Sequence, residues 1–297
     1  MKLLFSDTDA RTEALYLVLL RERGVAARLA AMQGLNAGLR ALLISDPVPL
    51  ESPKPLDQPS ICYRIAGRLA RAGVLTHEVM SHREDVNTQE EDRLLMQPDG
   101  IAATLLVTEA LEGLKIPYVI GGSFASIAHG IPRATNDSDL VIGLRPDQGD
   151  LITALVARLE GAFLVSRESA LDALAHQASF NAIHLDSLFK VDIFLPRLRL
   201  FEQARLARGR RYAIGQDPAR TAVISSPEDT VLAKLEWYRL GNEISEKQWS
   251  DIQGILKLQG AAMDHGYLRQ WAPTLNVADL LSRAMGDAGI ADVGEGA

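Results

Sequence analysis

Residues 118–144, YVIGGSFASIAHGIPRATNDSDLVIGL, leave few ways to fold. Tyr118 to Ile120 is an aromatic and β-branched run suited to a buried strand. Gly121 and Gly122 follow at once, letting the chain turn sharply and letting something approach the backbone where a Cβ would block it. Ser123 then reads as the N-cap of a short helix over 124–129, which Pro132 ends. After the loop RATN, Asp137-Ser138-Asp139 opens a second apolar strand, LVIGL. A glycine turn feeding a helix N-terminus points free N–H groups and the helix dipole at one place, which makes an anion site.

Side chains alternate along a strand, so Asp137 and Asp139 project from one face. Two carboxylates held that close repel each other unless a cation lies between them. Hard oxygen ligands beside a phosphate cradle suggest Mg²⁺. Read without its surroundings, Asp-x-Asp is common in loops and often only caps a turn. The glycine turn between two strands favours the metal reading.

The pattern Gly-Gly-Ser, a spacer, then Asp-x-Asp resembles the signature of the nucleotidyltransferase (polymerase-β-like) superfamily. Within it, GGSFASIAHGIPRATNDSDLVI is similar to the AbiEii-type branch, which reads Gly-Gly-x-Ala, His-Gly, Arg-x-Thr-x-Asp-x-Asp and includes toxins of type IV toxin–antitoxin systems. The resemblance implies an α/β (α+β) nucleotidyltransferase fold: a small mixed sheet with flanking helices, a helical N-terminal extension and a helical C-terminal portion. It implies transfer of a nucleoside monophosphate from an NTP to an acceptor hydroxyl with release of pyrophosphate. Two Mg²⁺ ions, with Mn²⁺ as a substitute, would bind Asp137 and Asp139 and a third carboxylate on a neighbouring strand. That role falls on Asp192, in KVDIF. Gly121, Gly122, Ser123, Arg133 and Thr135 would hold the nucleotide. Lys234 and Asp251 match a lysine and an aspartate of the active-site region in that branch. A protein, tRNA or a small molecule would be the acceptor, and a cognate antitoxin a partner. The alternative is a catalytically silent nucleotide-binding protein, or a toxin–antitoxin component of the same fold.

The residues themselves carry part of this. Asp192 lies between Val191 and Ile193, and an acid in an apolar strand is costly to bury unless paired or bound to a cation; otherwise it faces water from an edge strand. Lys190 shares its face and could pair with Asp192 or with a phosphate. From pattern alone Lys234 is equally a snorkelling lysine, and Asp251 a surface acid.

With 297 residues, 47% hydrophobic and 23% charged, the chain can bury one large or two modest cores. A net charge of −7 argues against a large non-specific nucleic-acid surface. The lone Cys62 excludes an internal disulfide and a cysteine zinc site, and fits a reducing, cytoplasmic location. No stretch is long and apolar enough to span a bilayer, so no membrane is expected.

Three parts are expected: a helical N-terminal extension over 1–95, a nucleotidyltransferase core over 96–225 and a C-terminal helical portion over 226–290. In the first, two helices should meet at Gly24 and form a hairpin that packs on the main domain, or else a partner-binding arm, and five prolines between residues 45 and 60 read as a linker that decouples the extension. Helices follow, with His77 and His82 on their surface. A helix should precede the central strand. After the Asp-x-Asp strand come a helix ending near Gly161, a short strand AFLV, another helix, strands SFNAIHLD and LFKVDIFLP, and a last strand TAVI at 221–224. Arginines 197, 199, 205, 208, 210 and 211 form the most basic stretch, with Glu202 the only acid among them; it suits phosphate or RNA contact, or is simply a solvated helix. Ser226-Pro227-Glu228-Asp229 is a clear helix start, Ser245 and Gln248 read as a capping box, and Asn276 as the cap of the last helix.

Overall fold

A computed structural model describes residues 10–45, 100–214 and 217–290. Beyond Ser45, the proline-rich run, the helices expected after it with His77 and His82, and Cys62 lie outside the described residues. The chain divides into two compact units, residues 1–33 with 98–297, and residues 34–97. The first of these units holds the sheet and the carboxylates.

Helix α1 (Ala10–Ser45) breaks at Gly24, whose φ of 70° and ψ of 179° are not helical. The two helices expected to meet there do so, at a left-handed backbone position that glycine adopts without strain. Past the break, Leu29 and Met32 are fully buried in the main core. Arg28 is buried beside them; its Nε and Nη2 donate to the Ala128 carbonyl at 2.8 and 2.6 Å, and its Nη1 to that of Leu20 at 2.8 Å.

The fold is mixed α/β. After α2 (Gly100–Gly113), the strands β1 (Tyr118–Ile120), β2 (Asp137–Ile142), β3 (Phe163–Leu164), β4 (Ser179–His184), β5 (Lys190–Phe194), β6 (Arg210–Ala213) and β7 (Thr221–Ile224) form one sheet in the order β3-β4-β5-β2-β1-β7-β6. Pairing is parallel for β2 with β5 and β1 with β7, and antiparallel elsewhere. Between the strands run α3 (Gly122–His129), α4 (Gly149–Leu159), α5 (Arg167–His176) and α6 (Leu200–Arg208). Apolar residues of α2, α4 and α5, among them Ile101, Leu111, Ile152, Leu155 and Leu174, bury one face of the sheet. The strand β6 was not expected: RRYA is exposed at its first two residues, so it lacks the apolar run that marks β7, and its pairing with β7 supplies what its sequence does not.

A second apolar cluster is made by α7 (Pro227–Leu240), α8 (Glu246–Gln259), α9 (His265–Thr274) and α10 (Ala278–Ala288), through residues such as Leu232, Leu235, Ile255, Leu268 and Leu281. Helix α7 starts as its sequence dictates, with the Ser226 hydroxyl accepting from the Asp229 N–H and Pro227 at the first helical position. Helix α10 does not: Val277, not Asn276, is its N-cap, and Asn276 sits in the turn before it with a φ of 56°. Among the described residues no helix is long and apolar enough to cross a membrane.

Candidate active site

Strand β2 alternates as its sequence requires. Ser138 is fully buried on the core side, while Asp137 and Asp139 are half-buried on the opposite face. Strand β5 lies parallel to it in a register that sets Asp139 opposite Asp192, and Asp137 opposite Lys190. The three carboxylates therefore share one face of two adjacent strands, as the spacing of Asp-x-Asp leads one to expect for Asp137 and Asp139 and as the resemblance implies for Asp192. Lys190 takes the first of its two expected partners: its Nζ lies 2.7 Å from Asp192 Oδ2.

The glycine turn closes over this face. The Gly121 N–H donates to the Asp139 carbonyl at 2.7 Å, bringing the turn against β2. Gly122 has a φ of 48°, and a Cβ there would fall on the Asp139 carboxylate and within 2.8 Å of the Asp139 Cβ. Only glycine fits, for both conformational and steric reasons. A Cβ on Gly121 would likewise strike the Arg205 guanidinium. Ser123 is not the N-cap. The helix begins one residue before it, Gly121 occupies the cap position, and no side chain caps it. The Ser123 hydroxyl instead accepts from Arg133 Nη2 at 2.8 Å, while its backbone N–H bonds to Asp139.

Asp139 is held above the usual carboxylate range by burial, then by the negative charges of Asp137 and Asp192; Lys234 and the Ser123 N–H pull the other way. Thr135 Oγ1 donates to Asp137 Oδ1 at 2.8 Å. An all-oxygen set of three mutually repelling carboxylates suits a hard divalent cation. Their side chains do not converge on one point, being turned to Thr135, to the Ser123 N–H and to Lys190. Among the described residues no three carboxylate, histidine or cysteine side chains are placed to hold one metal ion.

Behind the carboxylates lies a buried ionic network drawn from three elements. Arg133, in the loop after α3, is gripped by Asp251 of α8 through two hydrogen bonds of 2.8 Å. Asp251 Oδ2 also lies 2.8 Å from Nζ of Lys234, on α7. Lys234 is neither snorkelling nor exposed, with 6% of its surface accessible. Burial lowers its pKa from the ordinary lysine value, against the raising effect of Asp251. Burial likewise pushes Asp251 up, but the Arg133 hydrogen bond and the Lys234 charge outweigh it and hold the carboxyl below its usual range.

A cleft of about 480 Å³ opens onto this assembly, lined by Gly122, Asp139 and Lys234 at one end and by Phe194, Trp237 and Leu240 at the other. Gln248 also lines it, and its Oε1 accepts from Lys234 Nζ at 2.8 Å. Sequence reasoning placed this residue in a capping box and missed its contact with the site. The signal was there in part: a box glutamine on the helix that carries Asp251 can turn toward whatever Asp251 faces. A larger cavity, about 760 Å³, lies between the break in α1 and the loop after α8, lined by Arg28, His129 and Tyr212 and away from the carboxylates.

Four arginines of the basic stretch are tied to groups from other elements, and two of these, Arg199 and Arg205, also line the cleft. Arg199 bonds Glu236 and Glu202, and Arg205 is buried against Ser225. Arg208 pairs with Glu228 and lies 3.9 Å from the centre of the Tyr267 ring; Arg211 bonds Glu112.

No protein-family model and no curated protein sequence matches the chain. The solved structures it resembles include nucleotidyltransferase-like proteins. An antigenic nucleotidyltransferase-like protein from Paracoccidioides brasiliensis is 20% identical, over 64% of this chain and 94% of that one, with a TM-score of 0.41. The antibiotic-resistance factor ANT(2'')-Ia, in solution, is 16% identical over 63% and 93% of the two chains, with a TM-score of 0.38. Its crystal structure with adenylyl-2''-tobramycin is 16% identical over 59% and 96%, with a TM-score of 0.39.

Proposed function

We propose that this protein is a metal-dependent nucleotidyltransferase, moving a nucleoside monophosphate from an NTP to an acceptor hydroxyl with release of pyrophosphate. The observation that carries the reading is the register of β2 against β5, which sets Asp139 beside Asp192 directly under a turn that only Gly122 can make.

Each residue then has a task. Asp137, Asp139 and Asp192 would hold Mg²⁺: their donor chemistry fits it, although their side chains do not converge in this structure. Bound Mg²⁺ would supply positive charge to the phosphates and make the acceptor hydroxyl easier to deprotonate. The turn at Gly121 and Gly122, at the N-terminus of α3, lies beside the triphosphate, where the helix dipole favours an anion. Ser123 and Arg133 act as a pair there. Lys234 presents its ammonium to the cleft and offsets charge that builds on the phosphates as the bond to the leaving group breaks. Asp251 orients both cations, its two oxygens holding Arg133 and one of them Lys234 as well. A protein, tRNA or a small molecule serves as acceptor.

Calorimetric titration of nucleoside triphosphates, with and without Mg²⁺, tests the first half of this reading. Binding that needs Mg²⁺ is expected; equal affinity in both conditions, or no binding, overturns it. Pyrophosphate release with total RNA or protein as acceptor tests the second half and separates an enzyme from a silent nucleotide-binding protein.

A further inference from the structure

Gln248 carries a feature its sequence context does not explain. In a complete capping box the glutamine side chain returns to the N-cap residue. Here only half the box is made: the Ser245 hydroxyl accepts from the Gln248 N–H at 3.3 Å, while the Gln248 side chain crosses to α7 and accepts from Lys234. The helix forgoes one capping bond so that this lysine gains a second acceptor.

The geometry has a direct consequence. A lysine ammonium has three donors in tetrahedral array. Asp251 Oδ2 and Gln248 Oε1, each at 2.8 Å, fix two of those directions and thereby the third. Lys234 and Gln248 line the cleft together with Gly122 and Asp139. Charge matters equally. Arg133, Lys234 and Asp251 sum to one positive charge, and the neutral amide of Gln248 directs the ammonium without cancelling it. A carboxylate in its place would hold the lysine more tightly and leave the cluster neutral.

We infer that Gln248 is a positioning residue, which aims the Lys234 ammonium at a phosphate group in the cleft while leaving the net positive charge of the network intact. This rests on the function proposed above.

The test uses the full chain, inorganic triphosphate with Mg²⁺ as a probe free of any base, and two near-isosteric variants. Gln248→Met removes the acceptor; Gln248→Glu keeps it and adds a negative charge. Both should bind the probe at least about tenfold more weakly than the wild type. Gln248→Glu should nevertheless melt no lower than the wild type, because the buried lysine is still satisfied. Gln248→Glu shows the effect of charge, and Gln248→Met, which adds none, tests the aim: if Gln248 only satisfies a buried lysine, Gln248→Met melts lower but binds triphosphate as tightly as the wild type, and the inference falls. Should Gln248→Met not fold, Gln248→Asn, neutral and one methylene shorter, takes its place, and triphosphate bound as tightly as by the wild type overturns the inference. A wild-type protein that binds no triphosphate refutes the proposed function and this inference with it; a wild type that binds while the neutral variant at position 248 binds equally well refutes this inference alone.

Discussion

Replacing Gly122 by alanine tests the glycine turn by its energetics as well as its function. Two costs can be separated. Alanine at a left-handed φ costs about 1–2 kcal/mol, of which roughly 0.4–1 kcal/mol is returned because the unfolded chain loses freedom. The second cost is steric. The new methyl would overlap the Asp139 carboxylate, which a side-chain rotation could relieve, but it would also sit 2.8 Å from the Asp139 Cβ, which no rotation relieves. Strand β2 or the turn must shift, and overpacking of this kind costs about 1–3 kcal/mol. Gly161→Ala supplies the control, since Gly161 has a φ of 92° and its Cβ would meet nothing within 4 Å. It bears the conformational cost alone. Gly122→Ala should therefore be less stable than Gly161→Ala by about 1–3 kcal/mol in denaturant titration, and melt roughly 2–10 °C lower for a chain of this size. Calorimetry with Mg²⁺ and a triphosphate should show binding lost in Gly122→Ala and kept in Gly161→Ala. Two variants that melt together and bind alike would refute the claim that turn and carboxylate are in forced contact.

Asp192→Asn should reduce pyrophosphate release by orders of magnitude with little change in melting temperature; near-normal turnover would place the third carboxylate elsewhere. His129 is neutral when folded, because burial, against a hydrogen bond with the Ser225 carbonyl, brings its pKa down to about 4. The unfolded chain takes up this proton near pH 6.5, so stability is complete above that value and is lost as pH falls through about 4, by up to about 3 kcal/mol. His129→Gln should remove that slope from a pH series of denaturant titrations, and an unchanged slope would assign it to other groups. Leu29→Ala should cost about 2–5 kcal/mol, and a chain beginning near residue 97 should not melt cooperatively, because Leu29, Met32 and Arg28 pack into the same core as the sheet. A cooperative melt of the shortened chain would show the N-terminal helices to be separable after all.

What could be read in the sequence is what is local or periodic. The alternation of β2 placed Asp137 and Asp139 on one face, because a period of two needs no knowledge of partners. Ser226-Pro227 gave the start of α7, and Gly24 the break in α1, for the same reason. Asp192 was expected beside Asp137 and Asp139 from the resemblance, and it joins their face through the register of β5 against β2. What failed depends on groups distant in sequence. Glu202 was the only acid in sight of the arginines, yet Glu236, Glu228, Asp229 and Glu112 reach them from other elements and pair with Arg199, Arg208 and Arg211. That the N-terminal helices pack on the main domain was expected, but not how firmly: Arg28 is bonded to Ala128, 100 positions away, where the proline run suggested a separable extension. Ser123 has the residue type of a cap but not its place, because Gly122 can take the left-handed φ that starts the helix one residue earlier.

The charge arrangement ties these observations together. Asp137, Asp139 and Asp192 bring three negative charges to one face of the sheet, and the cations that answer them arrive by different routes. Lys190 comes from the same strand as Asp192, at the surface, where an ion pair is worth little in screened solvent. Lys234 comes from another layer and is buried, and its own counter-charge, Asp251, is shared with Arg133. A lysine meant only to neutralise Asp139 would pair with it directly. Lys234 is instead bound to Asp251 and Gln248, and acts on Asp139 only through the field between them. The ammonium is thereby kept beside the carboxylates without being spent on them, as the triphosphate binding proposed above requires.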